Sequence, residues 1–484
     1  MNTGTRPLTM VLVVDGLRPD QIHPDITPTI SALSSEGRWV EQSFSSIPTV
    51  TRVNAASLVT GCYPANHGLS GNYLRTADGK SAVNTLEADF VSAVGLEPEE
   101  LLRVKSLGHR LAEAGQTLAV VSTISSGGAL VLNPGVELGH GVTLSLRPGP
   151  DGSHAQPAWA NDALLEKMGP APSLRDGAST AELVDYAVDA SVNFVFPEVD
   201  PDVLVCWFVE PDKTQHGFGV GSPEARSALT HLDAAISRLL EGAESFAAGR
   251  DLTVFVISDH GFARTIGSID VAERLREDSI DLTGVTIVPT GLAMVWCEEI
   301  STAHRIQEWA DQQPWLAGCF LGKRLQEGSE SGHFALDLLR CHPADTAPDL
   351  VLAPLSAEAP NEFGVPGVHY LLDGSAGKFH SGHGSLSPYE LRSTMIVRGP
   401  GVQGTGPSKV PAGIVDVVPT ILSLHGVGSP GCDGRVLREL FDASAPEPIV
   451  TARTLRSKAH TKHDLEMSIL EVNGHDYITA FNIS

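Results

Sequence analysis

Cysteine is scarce in this chain, with six in 484 residues. Cys62, Cys206, Cys297, Cys319, Cys341 and Cys432 are scattered, and no two form a CxxC pair. That spacing excludes a zinc-finger or thioredoxin-type motif and reads as free thiols in a reducing, cytoplasmic compartment. Positive charge is short as well: 33 Lys and Arg stand against 58 Asp and Glu, for a net charge of −25. Such a balance repels phosphate backbones, so no nucleic-acid polymer is expected as a partner. No apolar run reaches the ~18 residues of a membrane span, so no membrane partner is expected either. The stretch before Met10 lacks the basic-then-apolar order of a signal peptide. Internal repeats and low-complexity tracts are absent too, which excludes solenoids and fibrous folds.

What is present is an ordinary globular composition, 42% hydrophobic and 19% charged, on a chain long enough to bury a large core. Leu8–Val14, Leu118–Val121, Val203–Val209 and Leu252–Ile257 are short continuous apolar runs, the pattern of strands buried on both faces. Amphipathic stretches alternate with them. Pro28–Gly37 turns Ile30 and Leu33 inward, and a further helix is expected around Leu107–Ala114. Ser222-Pro223 reads as an N-cap followed by Pro at the first helical position. The helix it opens places Leu229, Leu232, Ile236 and Leu239 on one face. The expected fold is therefore α/β: a mostly parallel central sheet flanked by helices.

The character changes near Thr286. Leu292–Trp296, Ala303–Trp309, Leu316–Phe320 and Leu350–Ala353 predict a smaller α+β cap, inserted as residues 286–378. Gly364–His383, rich in Gly and His, reads as a loop. Regular structure resumes with a strand at Ser393–Val397 and a helix at Val415–Leu424. The main domain is thus expected to be discontinuous, 1–285 plus 379–448. Residues 449–484 form a tail with no assigned structure.

The chemistry-bearing residues sit where apolar runs stop. Asp15 follows Val14, Asp212 and His216 follow Val203–Val209, and Asp259-His260 follow Ile257. His383 lies in the later Gly-rich segment. In an open α/β sheet, ligands bind beyond the carboxyl ends of the strands, so these groups are expected on one rim. Three carboxylates at close quarters repel unless something neutralises them. The histidines beside them are the ligand type that suits Zn²⁺ and related divalent ions.

With these residues in place, the chain resembles the alkaline phosphatase superfamily, and within it the nucleotide pyrophosphatase/phosphodiesterase branch. The resemblance rests on Val14-Asp15-Gly16-Leu17-Arg18-Pro19-Asp20, on Pro48-Thr49-Val50-Thr51-Arg52-Val53-Asn54, and on His67-Gly68 with Asn72. Pro211-Asp212 with His216, Ser258-Asp259-His260-Gly261, His383-Gly384 and Val415–Ile421 continue it in family order. It implies an alkaline-phosphatase-like fold and two divalent metal ions, normally zinc. Asp212, His216 and His383 match the ligands of one. Asp15, Asp259, His260 and the nucleophile Thr51 match those of the other. Asn72 matches the side chain that holds a non-bridging phosphoryl oxygen. The activity implied is cleavage of a phosphodiester or phosphoanhydride in a small phosphorylated molecule, through a phosphothreonine.

Elementary chemistry agrees with that assignment. A threonine hydroxyl is a poor nucleophile near neutrality, and coordination to a metal lowers its pKa. Two ions ~3.5–4 Å apart clamp the attacking and leaving oxygens of an in-line displacement. Sulfatases of the superfamily place a modified Cys or Ser in a C/S-x-P-x-R motif, whereas this chain reads Thr51-Arg52-Val53-Asn54-Ala55. Nucleotide-selective members place an aromatic after the nucleophile, where Arg52 stands here, suited to a second anionic group of the substrate. The stretch from Thr51 to Asn72-Tyr73 is also similar to phosphonoacetate hydrolase, a C–P bond hydrolase. That family's lysines, expected after Leu118–Val121, are missing from Ser122–Gly128. An inactive binding module is the alternative from another class, and no expected ligand or nucleophile is missing to favour it.

Overall fold

A computed structural model describes residues 6–148, 152–326, 332–373, 379–459 and 462–483. Its centre is a nine-stranded mixed sheet. Five strands are parallel neighbours in the order Leu252–Ile257, Leu8–Val14, Val203–Phe208, Leu118–Ser122 and Val142–Ser145. Met395–Arg398 extends the sheet antiparallel beside Leu252–Ile257, followed by Arg38–Val40 and Gly406–Ser408. Ala155–Gln156 closes the other edge. Every residue of Leu8–Val14 and Val203–Phe208 is buried, as both-face coverage by helices requires.

The two faces divide by residue parity. Val11, Val13, Val205, Trp207, Phe255 and Ile257 pack against the helices Thr51–Thr60 and Val417–Leu424. Met10, Leu12, Val14, Leu204 and Val254 pack against Pro223–Ala247, whose Leu229, Leu232, Ile236 and Leu239 form the predicted inward face. Ser222 caps that helix by accepting a hydrogen bond from the Ala225 amide.

Residues 285–354 build a separate five-stranded sheet, ordered Val285–Pro289, Ala293–Cys297, Leu350–Pro354, Leu316–Leu321, Phe334–Ala335, with the helix Ile300–Ala310 beside it. One expectation is corrected here. Within 364–383, read as a loop, Pro366–Leu371 is a strand that pairs in parallel with Ala263–Ser268. Ser381–Gly382 pairs antiparallel with the other edge of Ala263–Ser268. Backbone pairing overrides the poor intrinsic strand preference of glycine there. Lys378 and the four residues before it lie outside the described residues.

Residues 450–483 form a three-stranded antiparallel sheet, Val450–Ser457, Leu465–Val472 and His475–Ile483. Leu465, Met467, Ile469 and Phe481 share a core with Phe320, Phe334 and Val351 of the inserted sheet. Tyr477 instead reaches the main body, donating its hydroxyl to Asp416 at 2.8 Å.

Candidate metal centre

Strand register sets the first half of the site. Val13 lies level with Ile257 on one side and Trp207 on the other. Two residues on, Asp15 and Asp259 therefore emerge side by side at the carboxyl edge of the sheet. Their parity turns them toward the face that carries the helix Thr51–Thr60. His260 follows at once. Its Nε2 lies 3.1 Å from Asp259 Oδ2 and 3.6 Å from Asp15 Oδ1, and all three residues are fully buried.

The second half is made differently. Asp212 and His216 share the helix Asp212–Phe218, where the i,i+4 spacing places both side chains on one face. His383 arrives from the end of Ser381–Gly382, brought back because that short strand pairs with Ala263–Ser268, just beyond His260. Asp212 Oδ1 lies 3.4 Å from His216 Nε2 and 3.3 Å from His383 Nε2. The two Nε2 atoms stand 3.2 Å apart. The halves abut, with the His260 and His383 rings stacked at 3.6 Å between centroids. The Asp212 amide donates to the Asp15 carbonyl at 3.1 Å.

Each of the three imidazoles has a backbone carbonyl at Nδ1: Ser381 for His216, Thr49 for His383, and Gly261 for His260, at 2.9, 2.8 and 3.0 Å. A proton held there leaves the lone pair on Nε2. These lone pairs point at carboxylate oxygens, and Asp15 Oδ1, Asp212 Oδ1 and Asp259 Oδ2 are buried with no hydrogen-bond partner among the described residues. Acceptors facing acceptors need a cation between them. Oxygen and nitrogen ligands bound at ~2.0–2.2 Å to a tetrahedral ion stand ~3.3–3.6 Å apart; the separations here, 3.1 and 3.6 Å in the first half and 3.2, 3.3 and 3.4 Å in the second, lie close to that spacing. The donor set fits two divalent ions.

Electrostatics separates the halves. Burial, then the charges of Asp259 and Asp212, hold the Asp15 carboxyl well above the usual range, against one hydrogen bond from Trp207 Nε1 at 2.9 Å. Burial also pushes Asp212 upward, but His216 and His383 outweigh it and leave that carboxyl well below the usual range. His260 is raised, because its burial is overcome by Asp259. His383 is lowered by burial and by the neighbouring charge of His260.

Thr51 is the first residue of its helix, and its hydroxyl lies 3.5 Å from His260 Nε2. The amides of the first helical turn have no intrahelical partner, so they and the helix dipole face whatever anion approaches Thr51. Asn72 is anchored through its carbonyl, which accepts from the Thr85 amide and hydroxyl, while its Oδ1 is buried without a partner among the described residues. Arg52 donates to Ser125 Oγ at 3.1 Å. Burial pushes its guanidinium down to about 10, with Asp15 favouring the charge and Arg147 opposing it.

Supporting residues went unseen in the sequence. Trp207 holds Asp15, and no motif flagged it. Glu390 accepts from the Ser385 amide at 2.7 Å and hydroxyl at 2.6 Å, and also meets Thr49 Oγ1 and His369. Thr49 Oγ1 in turn accepts from the Gly384 amide at 3.0 Å. This buried network pins the segment that carries His383. Gly384 has φ +120°, and a Cβ there would lie 2.7 Å from the Thr290 carbonyl of the insert. The insert therefore rests directly on this segment.

The model of the type I phosphodiesterase/nucleotide pyrophosphatase family matches residues 9–338. A pyrophosphatase/phosphodiesterase of Schizosaccharomyces pombe, itself uncharacterised, is 23% identical over 270 residues, which cover 54% of this chain and 47% of that one. Mouse ectonucleotide pyrophosphatase/phosphodiesterase family member 1 is 24% identical over 53% of this chain and 24% of its own length. The chain thus spans less than half the length of these curated relatives. Among solved structures, alkaline phosphatase PafA superposes with a TM-score of 0.68 at 16% identity, covering 91% of this chain and all of that one. Phosphonoacetate hydrolase of Sinorhizobium meliloti, bound to phosphonoformate, gives 0.62 at 18% identity over 87% and 96% of the two chains. An inactive threonine-to-alanine form of murine ectonucleotide pyrophosphatase/phosphodiesterase 5, bound to AMP, gives 0.62 at 15% over 90% and 100%. The fold is alkaline-phosphatase-like, and the chain belongs to the type I phosphodiesterase/nucleotide pyrophosphatase family.

Proposed function

We propose that this chain is a divalent-metal phosphohydrolase that cleaves a phosphodiester or phosphoanhydride in a small phosphorylated molecule, with Thr51 as nucleophile. The observation that carries the reading is the Thr51 hydroxyl at a helix N-terminus, 3.5 Å from His260 Nε2, at a cluster whose Asp15 Oδ1, Asp212 Oδ1 and Asp259 Oδ2 are buried with no hydrogen-bond partner among the described residues. Asp212, His216 and His383 would hold one ion and Asp15, Asp259, His260 and Thr51 the other, and the nitrogen–oxygen donor set favours Zn²⁺. When bound, such ions neutralise the carboxylates, acidify the threonine hydroxyl and offset charge on the leaving oxygen. Thr51 Oγ loses its proton and attacks phosphorus in line, the bond from phosphorus to the leaving oxygen breaks, the leaving group departs carrying a proton, and a phosphothreonine that keeps the substrate's second substituent remains. The free amides at the start of Thr51–Thr60 and the Asn72 amide orient the transferred phosphoryl oxygens. Water then hydrolyses the bond from Thr51 Oγ to phosphorus, which releases that substituent as a phosphate monoester and regenerates the Thr51 hydroxyl. A threonine-to-alanine relative described as inactive supports this choice of nucleophile. The insert rests on the His383 segment and acts as a cap, and the six free thiols support a cytoplasmic setting.

The test is turnover of a chromogenic phosphodiester beside a phosphomonoester and phosphonoacetate, with metal content measured on the same samples. The diester should be the best of the three, and activity should vanish on chelation and return with Zn²⁺. Preference for phosphonoacetate would move the chain to C–P cleavage. Full turnover by thoroughly chelated protein would remove the mechanism.

A further inference from the structure

The inserted sheet holds a second cluster of ligand-type side chains, apart from the metal centre. Asp311 follows the last residue of the helix Ile300–Ala310, and its amide donates to the Gln307 carbonyl at 3.0 Å. Cys319 lies in the strand Leu316–Leu321, on the face that packs against that helix, whereas Phe320 turns to the terminal sheet. The parallel pairing of Leu316–Leu321 with Phe334–Ala335 sets Phe320 level with Phe334. One residue earlier on each strand stand Cys319 and His333. Three elements of the insert thus bring one carboxylate, one thiol and one imidazole together.

Their distances suit a shared ion. His333 Nε2 lies 2.9 and 3.0 Å from the two Asp311 oxygens, and Cys319 Sγ lies 3.8 Å from Asp311 Oδ1. One ligand atom from each residue falls within 4.8 Å of the other two. Around a tetrahedral zinc ion, sulfur and oxygen ligands stand ~3.5 Å apart, and nitrogen and oxygen ligands ~3.3 Å. Small side-chain rotations close that gap of a few tenths of an ångström. The place is also dry: Cys319 is 1% exposed, and the His333 and Asp311 side chains are 3% and 12% exposed. An Asp–His ion pair alone would be a charge pair held there at a desolvation cost, with the thiol idle beside it. A divalent ion that displaces the thiol proton to solvent is matched by one carboxylate, one thiolate and one neutral imidazole. The group as a whole is then neutral, which is the least costly state for a buried site.

We propose that Asp311, Cys319 and His333 bind a third divalent ion, of the zinc class, as a clamp within the insert. Thiolate with imidazole selects such an ion over Mg²⁺ or Ca²⁺, and three protein ligands leave the fourth position to water. The clamp ties the end of Ile300–Ala310 to two strands of the sheet. Two of its ligands adjoin Phe320 and Phe334, whose rings meet Phe481 of the terminal sheet at 5.2 and 6.0 Å. The ion thus fixes the platform on which that sheet rests.

The test loads the chelated whole chain with Co²⁺ and follows the near-ultraviolet spectrum beside the metal count. The metal centre offers only oxygen and nitrogen donors, so a thiolate-to-cobalt charge-transfer band can arise only at a cysteine. A third equivalent of bound Co²⁺ should accompany that band, and Cys319→Ser should remove both while the other two ions stay. His333→Gln, the variant to use if Cys319→Ser folds poorly, should shift the band to higher Co²⁺ concentration. Saturation at two ions with no thiolate band would overturn the proposal. A band that persists in Cys319→Ser would overturn the assignment, since it would belong to another thiol, and so would a His333→Gln titration that matches the wild type. Count and band are read without substrate. A protein that turns over no ester, yet binds this third ion, loses the hydrolase reading and keeps the site. The same band lets a chelator's removal of this ion be followed apart from the two of the metal centre.

Discussion

The two halves of the metal centre have nearly the same donors and opposite construction. Asp15, Asp259 and His260 hang from adjacent central strands and are wholly buried. Asp212, His216 and His383 come from a short helix and a returning segment, and their side chains are 13%, 23% and 7% exposed. The first half concentrates like charge that its surroundings barely relieve, so Asp15 resists ionisation. The second balances one carboxylate with two imidazoles, so Asp212 ionises readily. Rigid strands fix ligand geometry at the cost of stored repulsion, whereas the helix-and-segment half stores little and depends on its supporting network.

The largest expected effect treats the halves as one machine. Thr51→Ala should lower turnover by on the order of 10⁴-fold or more while both ions stay bound, because each half keeps three protein ligands. Wild-type rates in that variant would name the wrong nucleophile. Next, a chromophoric chelator should strip the protein in two phases, with the exposed half yielding its ion first. A single phase with both ions leaving together would erase the distinction between halves.

A smaller effect isolates the supporting network. Glu390→Gln should loosen the His383 segment and weaken binding of one ion by about 10–100-fold, leaving the second ion's affinity higher than the first's. Titration of the chelated protein with Zn²⁺ reads this directly. Stability measurements then test the charge argument by sign. In chelated protein, Asp15→Asn should stabilise by about 1–3 kcal/mol, since it removes a disfavoured charge and still accepts from Trp207, whereas Asp212→Asn should destabilise. The pH dependence follows the same signs. Asp15, with its raised folded pKa, makes chelated protein more stable as pH falls through that pKa, until the unfolded carboxyl also protonates. Asp212, with its lowered folded pKa, contributes stability that is lost as pH falls through that pKa. Urea melts of the two variants that moved in the same direction would refute the contrast. The smallest change is Thr51→Ser, which keeps the hydroxyl and should retain appreciable activity.

How much of this was legible varied with the range of the interactions. Strands that end in Asp15 and Asp259 are local patterns, and so is the i,i+4 pair Asp212/His216. The return of His383 depends on a two-residue strand finding Ala263–Ser268, a long-range pairing that no local periodicity announces. Trp207 looked like one more apolar strand residue, because its indole N–H matters only once Asp15 is beside it. Glu390 carries no motif and gains meaning from topology alone. The tail is a different kind of miss. Leu465, Met467 and Ile469 alternate at period two, and Asn473-Gly474, both with positive φ, is the turn that joins them to His475–Ile483. Those are ordinary hairpin signals, present and unread.

That terminal sheet has a consequence for how the molecule is made. Its strands cover apolar surface on the inserted sheet and meet the main body through Tyr477, yet they leave the ribosome after every element that they cover. Until they emerge, the faces of Phe320, Phe334 and Val351 that they cover stay bare, and the nascent chain carries a sticky seam between its parts. The strand-borne ligands are complete once residue 260 has been synthesised, whereas His383 follows more than a hundred residues later. Biosynthesis thus imposes an order, with the repulsive half first, its partner second and the seal after both, and a truncation just before Val450 would produce chains that hold every ligand and still aggregate.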